Sequence, residues 1–148
     1  MIEPATDADL DAIDEIERLS FPAPWPRATF EAELRRDWAR VDVARAGGTI
    51  VGFCNYWLVT TEVHVLAIAT HPDRRRGGIG ARLLAHALAR GVEAGCTVAT
   101  LEVRRGNTVA IALYERAGFT TVHVRTRYYQ DDGEDALVMV ARLTGPHP

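Results

Sequence analysis

Lysine is absent from this 148-residue sequence, so all 17 basic side chains are arginines, against 20 acidic residues. The resulting formal net charge of −3 disfavours broad nucleic-acid binding, which depends on cations that neutralise phosphates. Cysteine is scarce as well, and Cys54 and Cys96 lie in apolar runs without metal-ligand spacing. This pattern predicts two buried, reduced thiols rather than a disulfide or a metal site.

Long hydrophobic runs are also missing. None approaches the roughly 20 residues of a membrane-spanning helix, and residues 1–4 carry neither the basic nor the apolar region of an export signal. We therefore expect a cytoplasmic protein without a membrane partner. Because 47% of the residues are hydrophobic and 25% are charged, the chain is expected to fold as a single globular domain, residues 1–148. We expect a monomer.

Hydrophobic periodicity predicts the element order β-α-α-β-β-β-α-β-α-β-β. The proline-rich run 21–26 separates the two N-terminal helices, because its three prolines fix φ and remove donors. A helix between the predicted strands 63–70 and 97–103 implies a right-handed parallel crossover, whereas the flanking hairpins imply antiparallel pairs. The fold class is therefore α/β with a mixed sheet. The other predicted elements are a first helix of about a dozen residues from Leu10, helices at 27–36, at 78–94 and after Asn107, strands at 41–45, 50–59, 119–129 and 136–143, and a frayed tail at 145–148.

The chain is organised around a turn rich in arginine and glycine, residues 74–80, which joins the strand 63–70 to a helix. Such a turn presents unpaired backbone N–H groups and the positive end of the helix dipole, and this arrangement favours a phosphate. A Walker P-loop is excluded because it requires a lysine. A dinucleotide-binding fingerprint is disfavoured, because Leu83 stands at its third glycine position and hairpins precede the loop.

The loop reads Arg-Arg-Gly-Gly-Ile-Gly at 75–80 and matches the pattern Arg/Gln-x-x-Gly-x-Gly/Ala, in which the chain resembles the GNAT acetyltransferases. The resemblance implies a GNAT fold, a mostly antiparallel six- to seven-stranded sheet with a central parallel pair, flanked by about four helices. It also implies acetyl-CoA as co-substrate. Further segments are similar to one subgroup, the RimI-type alanine N-acetyltransferases of bacterial ribosomal proteins: 101–104, Asn107, 110–115, 118–119, 127–129, 133–136 and Met139.

By this resemblance the acetyl-CoA site has two parts. Backbone groups at the end of the strand 63–70 would pair with the pantetheine arm, and the glycine loop would cradle the pyrophosphate. Asn107 has two expected roles, capping its own helix and contacting the cofactor. The implied acetyl-CoA-binding residues are Ile68, Ala69, Thr70, Arg75, Arg76, Gly77, Gly78, Ile79, Gly80, Ala81 and Asn107.

Two side chains are candidates for proton transfer. The acceptor amine, with a pKa of about 8, arrives protonated, so a base is required, and Glu102 occupies the family's position for it. The alternative is an ion pair of Glu102 with Arg104 or Arg127. Tyr114 corresponds to the family's general acid, which protonates the departing thiolate. The alternative for Tyr114 is a core side chain with a satisfied hydroxyl.

The acceptor is expected to lie between the loop 21–25 and a pair of tyrosines, so that Trp25, Tyr128 and Tyr129 contact it. Trp25 either covers this cleft or fills a gap in the core. The resemblance implies that the acceptor is the N-terminal α-amine of a protein, above all the N-terminal alanine of a small-subunit ribosomal protein. Four acids within 131–135 either attract a basic peptide or form a solvated turn.

Three positions depart from the subgroup's pattern. Pro26 replaces a frequent serine, Ala67 replaces a common asparagine, and His64 replaces an often acidic residue. Two alternatives to protein N-terminal acetylation therefore stay open: a GNAT enzyme for a small amine or amino acid, and a non-catalytic acetyl-CoA-binding module. The presence of both Glu102 and Tyr114 favours an enzyme.

Overall fold

Seven strands and four α-helices are present in the computed structural model, which describes residues 1–143. The predicted frayed tail at 145–148 lies outside these residues. No helix in the described part combines the length and the apolarity needed to cross a membrane. The elements are β1 (Ile2–Pro4), α1 (Leu10–Ser20), α2 (Arg27–Glu33), β2 (Ala39–Ala46), β3 (Thr49–Val59), β4 (Glu62–Thr70), α3 (Ile79–Glu93), β5 (Val98–Arg104), α4 (Thr108–Arg116), β6 (Thr120–Arg125) and β7 (Ala136–Arg142), with 3₁₀ turns at Asp7–Asp9 and Pro72–Arg74.

All seven strands belong to one sheet, in the order β1-β2-β3-β4-β5-β7-β6. The central pair, β4 and β5, is parallel, and every other neighbouring pair is antiparallel. This confirms the predicted mixed sheet. The crossover helix α3 lies very close to the sheet, because a Cβ added at Gly91 would fall 2.2 Å from Cγ2 of Val63. Only glycine allows this approach.

Each face of the sheet carries its own apolar core. On one face, Ile13 of α1 and Phe30 of α2 pack with Phe53 of β3. These two helices lie over β2, β3 and β4. On the other face, Leu84 of α3 packs in a larger cluster with Leu101 of β5 and with side chains of α4 and β7. Alternation along the strands directs successive side chains to these two cores.

Two predicted boundaries are wrong by more than two residues. Helix α2 ends at Glu33 rather than at residue 36, and β6 ends at Arg125 rather than at residue 129. In the second case Arg127 adopts a φ of +51°, a left-handed conformation that turns the chain away from the sheet. Tyr128 and Tyr129 therefore lie in a loop. Other boundaries agree closely with the predictions.

The parallel pair opens in the middle of the sheet. β4 and β5 pair over four residues each, and the last pair is Val65 with Leu101. Leu66, the next residue, is the extra residue of a β-bulge against β3. Beyond it the two strands separate, so the backbone of residues 66–70 has no ladder partner on its β5 side among residues 1–143. This opening positions the candidate site.

Candidate active site

A cavity of about 380 Å³, here called the central cavity, lies at the opening between β4 and β5. Its walls come from α1, from both separated strands, from α4, from the proline-rich loop 21–26 and from the loop between β6 and β7, residues 126–135, here called the tyrosine loop. Six of the residues predicted for the site line it, and the others lie on the glycine loop, at the end of β4 or at Tyr128. The lining residues are Glu17, Phe21, Pro22, Ala23, Trp25, Leu66, Ala67, Ile68, Glu102, Val103, Arg104, Asn107, Ala110, Tyr114, Tyr129, Gln130 and Asp131.

Glu102 lines the central cavity from β5. Its Oε2 atom lies 3.0 Å from Nε2 of His64 on the adjacent strand, and its side chain is 20% exposed. The hydrogen bond with His64 is the main cause that holds the pKa of Glu102 below its ordinary value, although burial opposes it. The ion-pair partners predicted as the alternative, Arg104 and Arg127, are not those found, because Arg104 binds acids of the tyrosine loop. At neutral pH Glu102 is a carboxylate.

Tyr114 faces the same cavity from α4. The side chain is 8% exposed, and its ring packs edge-on against Phe119 at 5.9 Å between centroids. Burial raises the pKa of the Tyr114 phenol well above its ordinary value, so the hydroxyl keeps its proton at neutral pH. The ring belongs to the core, as the second interpretation predicted, while the residue also lines the cavity. The role of general acid stays a prediction.

The glycine loop follows directly from the end of β4. Gly78 adopts a left-handed φ of +77° and caps the N-terminus of α3. The helix ladder begins where the N–H of Arg82 donates to the Gly78 carbonyl at 3.0 Å. The N–H groups of residues 79–81 precede that ladder and have no intrahelical acceptor. Apart from its chain neighbours and its own helix, no heavy atom lies within 4 Å of a Cβ placed on Gly78, so a side chain there would extend into open space.

Two predicted acetyl-CoA-binding side chains have clear partners. The guanidinium of Arg75 donates to the Thr70 carbonyl at 3.2 Å and to the Ser20 hydroxyl at 3.3 Å, so it ties the loop to β4 and to the end of α1. The carboxamide oxygen of Asn107 accepts from the N–H of Ala110 at 3.2 Å. This confirms the predicted N-cap, and Asn107 also lines the central cavity.

The predicted acceptor contacts divide into two groups. Trp25 lines the cavity and also packs on buried Phe30, with 5.7 Å between ring centroids, so both of its predicted roles apply. Tyr129 lines the cavity, where burial raises its pKa to about 12. Tyr128 does not line it. It is 43% exposed and packs edge-on against Tyr129 at 5.1 Å.

A single arginine organises the tyrosine loop. The Arg104 guanidinium lies 4.0 Å from the Tyr129 ring centroid and binds Asp131 through two contacts of 3.0 Å. It also reaches Asp132 at 3.1 Å and Glu134 at 3.3 Å. The four acids of this loop thus pair with only two arginines, Arg104 and Arg105, which leaves an excess of two negative charges. Both predicted roles of these acids, a turn and the attraction of a basic peptide, therefore stay predictions.

Replacing Arg104 with methionine is expected to loosen this loop while keeping the apolar stem. We expect the KM for a peptide acceptor to rise about tenfold, the effect of losing roughly 1.5 kcal/mol of charged hydrogen bonding, and the KM for acetyl-CoA to stay within about twofold. The matched control is Arg105→Met, because Arg105 is 62% exposed and pairs with Asp135, itself outside the group that Arg104 holds, and such an exposed pair has a small energetic value. Steady-state kinetics measure both constants. Equal effects of the two variants would contradict this role of Arg104.

Sequence reasoning missed Glu17 of α1, which is buried and lines the cavity. Its Oε2 accepts from the N–H of Trp25 at 2.9 Å and so fixes the proline-rich loop. Burial raises the pKa of this carboxyl. A signal was available in the sequence, because Glu17 falls on the apolar stripe of α1 defined by Ile13 and Ile16.

Comparison with known proteins identifies the family. The model of the acetyltransferase (GNAT) family matches residues 10–119, which include the opened parallel pair, the glycine loop, Glu102 and Tyr114. The chain belongs to the GNAT family and is an acyltransferase that uses acetyl-CoA as co-substrate.

Individual relatives are similar to this protein in sequence and in structure over most of the chain. It is 39% identical to the N-alpha-acetyltransferase RimI of Mycobacterium tuberculosis, covering 90% of this chain and 87% of that protein. It is 34% identical to the ribosomal protein bS18-alanine N-acetyltransferase of Escherichia coli, covering 92% and 93%. Among solved structures, the ribosomal-protein-S18-alanine N-acetyltransferase from Escherichia coli superposes with a TM-score of 0.90 at 31% identity, covering 99% of this chain and 96% of that one.

Proposed function

We propose that this protein transfers the acetyl group of acetyl-CoA to the N-terminal α-amine of a protein, namely the N-terminal alanine of a small-subunit ribosomal protein of the bS18 type. The observation that carries the proposal is that Glu102 and Tyr114 line one cavity at the opening of the parallel pair. The named activities of the relatives at 34% and 39% identity support the choice of acceptor. Because that acceptor is ribosomal, we place the reaction in the cytoplasm.

The chain offers acetyl-CoA a site with two distinct parts. The open backbone edge at Ile68, Ala69 and Thr70 suits the amide-rich pantetheine arm, which would add to β4 as a further strand. The glycine loop suits the pyrophosphate, because residues 79–81 present free N–H groups at the positive end of α3. Acetyl-CoA supplies the acetyl group as a thioester. A backbone N–H of the open strand would donate to its carbonyl oxygen, where negative charge develops.

Glu102 acts as the base. The acceptor amine arrives as an ammonium, and the ionised carboxylate accepts one of its protons, directly or through a water molecule, so that the nitrogen lone pair can attack. The low pKa of Glu102 keeps it ionised and able to accept a proton at neutral pH. Transfer from an ammonium to this carboxylate is uphill, so the proton moves to Glu102 as the nitrogen attacks the thioester carbonyl. No side-chain nucleophile is needed.

Tyr114 acts as the general acid. Its hydroxyl remains protonated because burial raises its pKa, and its position on α4 brings it to the wall of the cavity that Glu102 also lines. We assign it to protonate the sulfur as the thiolate of CoA leaves. The acceptor would enter between Trp25 and Tyr129, with Tyr128 at the exposed rim. The protein would act as a monomer, without nucleic acid.

A small amine or amino acid is the less favoured acceptor. The central cavity is bordered by a loop on each side, and Arg104 holds the tyrosine loop in place through several ion pairs. Such a border suits a peptide, which can extend past the cavity between the loops. A non-catalytic module is also less favoured, because it would have no need of a carboxylate and a protonated phenol lining the same cavity.

The test is release of free CoA thiol with a panel of acceptors, combined with mass spectrometry of the products. We expect turnover with peptides that begin with alanine and carry a ribosomal protein sequence, and none with the same peptides blocked at the N-terminus. Small amines should give a kcat/KM lower by at least about 100-fold, since they lack the contacts of the two loops. Better turnover of a small amine would overturn the choice of acceptor. Tight acetyl-CoA binding without thiol release from any acceptor would contradict the proposal that the protein catalyses acetyl transfer.

A further inference from the structure

Glu102 is supported from the side by a histidine whose own orientation is fixed. The His64 ring lies edge-on to Trp57, with 5.7 Å between centroids and an interplanar angle of 89°. The indole N–H of Trp57 donates in turn to Oε1 of buried Glu33 at 2.7 Å. The 3.0 Å contact between His64 and Glu102 is thus the end of a chain of contacts that starts in α2.

His64 and Glu102 face different spaces. Glu102 lines the central cavity, whereas His64 lines a second cavity of about 310 Å³, together with Trp57, Val59, Thr60, Thr61 and Glu62. His64 is 27% exposed at its side chain. It therefore touches the carboxylate without taking up space in the central cavity.

We infer that His64 is a positioning residue of the acetyl transfer, in which Nε2–H donates to Oε2 of Glu102, fixes the orientation of the carboxylate and leaves its second oxygen for the acceptor. This inference rests on the proposed function. A neutral imidazole with its proton on Nε2 is sufficient. In the proton step, one N–H bond of the ammonium breaks and one O–H bond forms on Glu102, while His64 keeps its proton.

The charged and titratable groups around His64 and Glu102 determine how removal of the His64 side chain changes the pH dependence of kcat/KM. Burial favours the neutral form of Glu102, and the opposing groups are His64 and, more weakly, Arg125 of β6. Tyr129 lies close enough to interact with Glu102, and Glu62 shares the second cavity with His64. His123 lies two strands away, through Val138.

Without the His64 donor, burial is opposed mainly by Arg125, so the pKa of Glu102 rises. The ionised base then persists only at higher pH, and the acid limb of the kcat/KM profile moves upward. Losing one charged hydrogen bond corresponds to a shift of about one pH unit.

The experiment compares His64→Leu with His64→Gln. Leucine fills the space without a donor, whereas the amide nitrogen of glutamine can occupy the place of Nε2. We measure kcat/KM for an alanine peptide from about pH 3.5 to 9 at saturating acetyl-CoA, because the wild-type pKa of Glu102 lies below its ordinary value. The acid limb should shift by about one unit for His64→Leu and by less than half of that for His64→Gln. Binding of acetyl-CoA should stay unchanged in both variants.

A direct titration separates this inference from the acceptor assignment. The carboxyl carbon of Glu102 is observed by ¹³C NMR, assigned with Glu102→Gln, in the wild type and in His64→Leu. A rise in the Glu102 pKa together with the shifted limb supports positioning. An unchanged Glu102 pKa in His64→Leu overturns it, as does equal loss of activity in both variants without a shift. If the wild type releases no thiol with any acceptor, the proposed function fails, while the NMR titration still decides whether His64 controls Glu102.

Discussion

Glu102→Gln is expected to lower kcat with an alanine peptide by about 10²- to 10⁴-fold, the usual contribution of a positioned general base. The substitution is nearly isosteric, and the glutamine oxygen can still accept from Nε2 of His64, so the geometry at the wall of the central cavity is retained. What is lost is the ability to take a proton from the ammonium. Acetyl-CoA binding should be unchanged, because the glycine loop and the open strand edge are not touched. Pre-steady-state thiol release measures the chemical step.

The matched control for this prediction is Glu115→Gln. Glu115 lies next to Tyr114 on α4 but is exposed, so its substitution removes the same charge without reaching the cavity. Its kcat should stay within about twofold of the wild type. A wild-type kcat in Glu102→Gln would show that Glu102 is not the base. A loss of acetyl-CoA binding in that variant would instead assign Glu102 to cofactor binding.

Gly78→Val is expected to weaken acetyl-CoA binding by at least about 100-fold. Valine is strained at a φ of +77°, and it would place a branched side chain on the N-cap of α3, the helix end at which the pyrophosphate is proposed to bind. The body of the protein should tolerate it, because no heavy atom lies within 4 Å of the added Cβ. Calorimetric titration with acetyl-CoA measures the dissociation constant.

The chain provides a matched control for backbone strain at the other end of the same helix. Gly95 has a φ of +88° and also has no heavy atom within 4 Å of an added Cβ. It lies beyond the C-terminus of α3, about 22 Å from the glycine loop at 1.5 Å per residue. Gly95→Val should lower the melting temperature about as much as Gly78→Val yet bind acetyl-CoA normally. Similar binding losses in both variants would show that general destabilisation, rather than the loop, is responsible.

Local sequence patterns were enough to predict the framework of the site. The strand, the glycine loop and the start of α3 are consecutive in the chain, so their arrangement depends on short-range turn and helix chemistry, which is readable from residues 63–88. The Asn107 cap was predicted for the same reason, since its acceptor and the Ala110 N–H are three residues apart. The predicted strand through Tyr129 failed because Arg127 adopts a left-handed conformation, which arginine rarely does.

Contacts between distant segments could not be predicted in the same way. The alternative to a base role for Glu102 was an ion pair with Arg104 or Arg127, whereas the structure pairs Glu102 with His64, 38 residues away. That pairing depends on the register of the two parallel strands, which hydrophobic periodicity does not specify. Glu17 is a similar case, because its role depends on where the proline-rich loop returns to α1.

The sequence by itself determined the class of fold, the family resemblance and the position of the glycine loop between β4 and α3, because each is encoded by residues that are neighbours in the chain. Only the tertiary structure decided where β4 and β5 separate, which side chains border the resulting cavity, and how Arg104 and His64 hold their neighbours. The physical reason is that a bulge at one residue and the register of one parallel pair together fix which side chains from distant segments meet. Those two features arise only when the whole sheet is assembled.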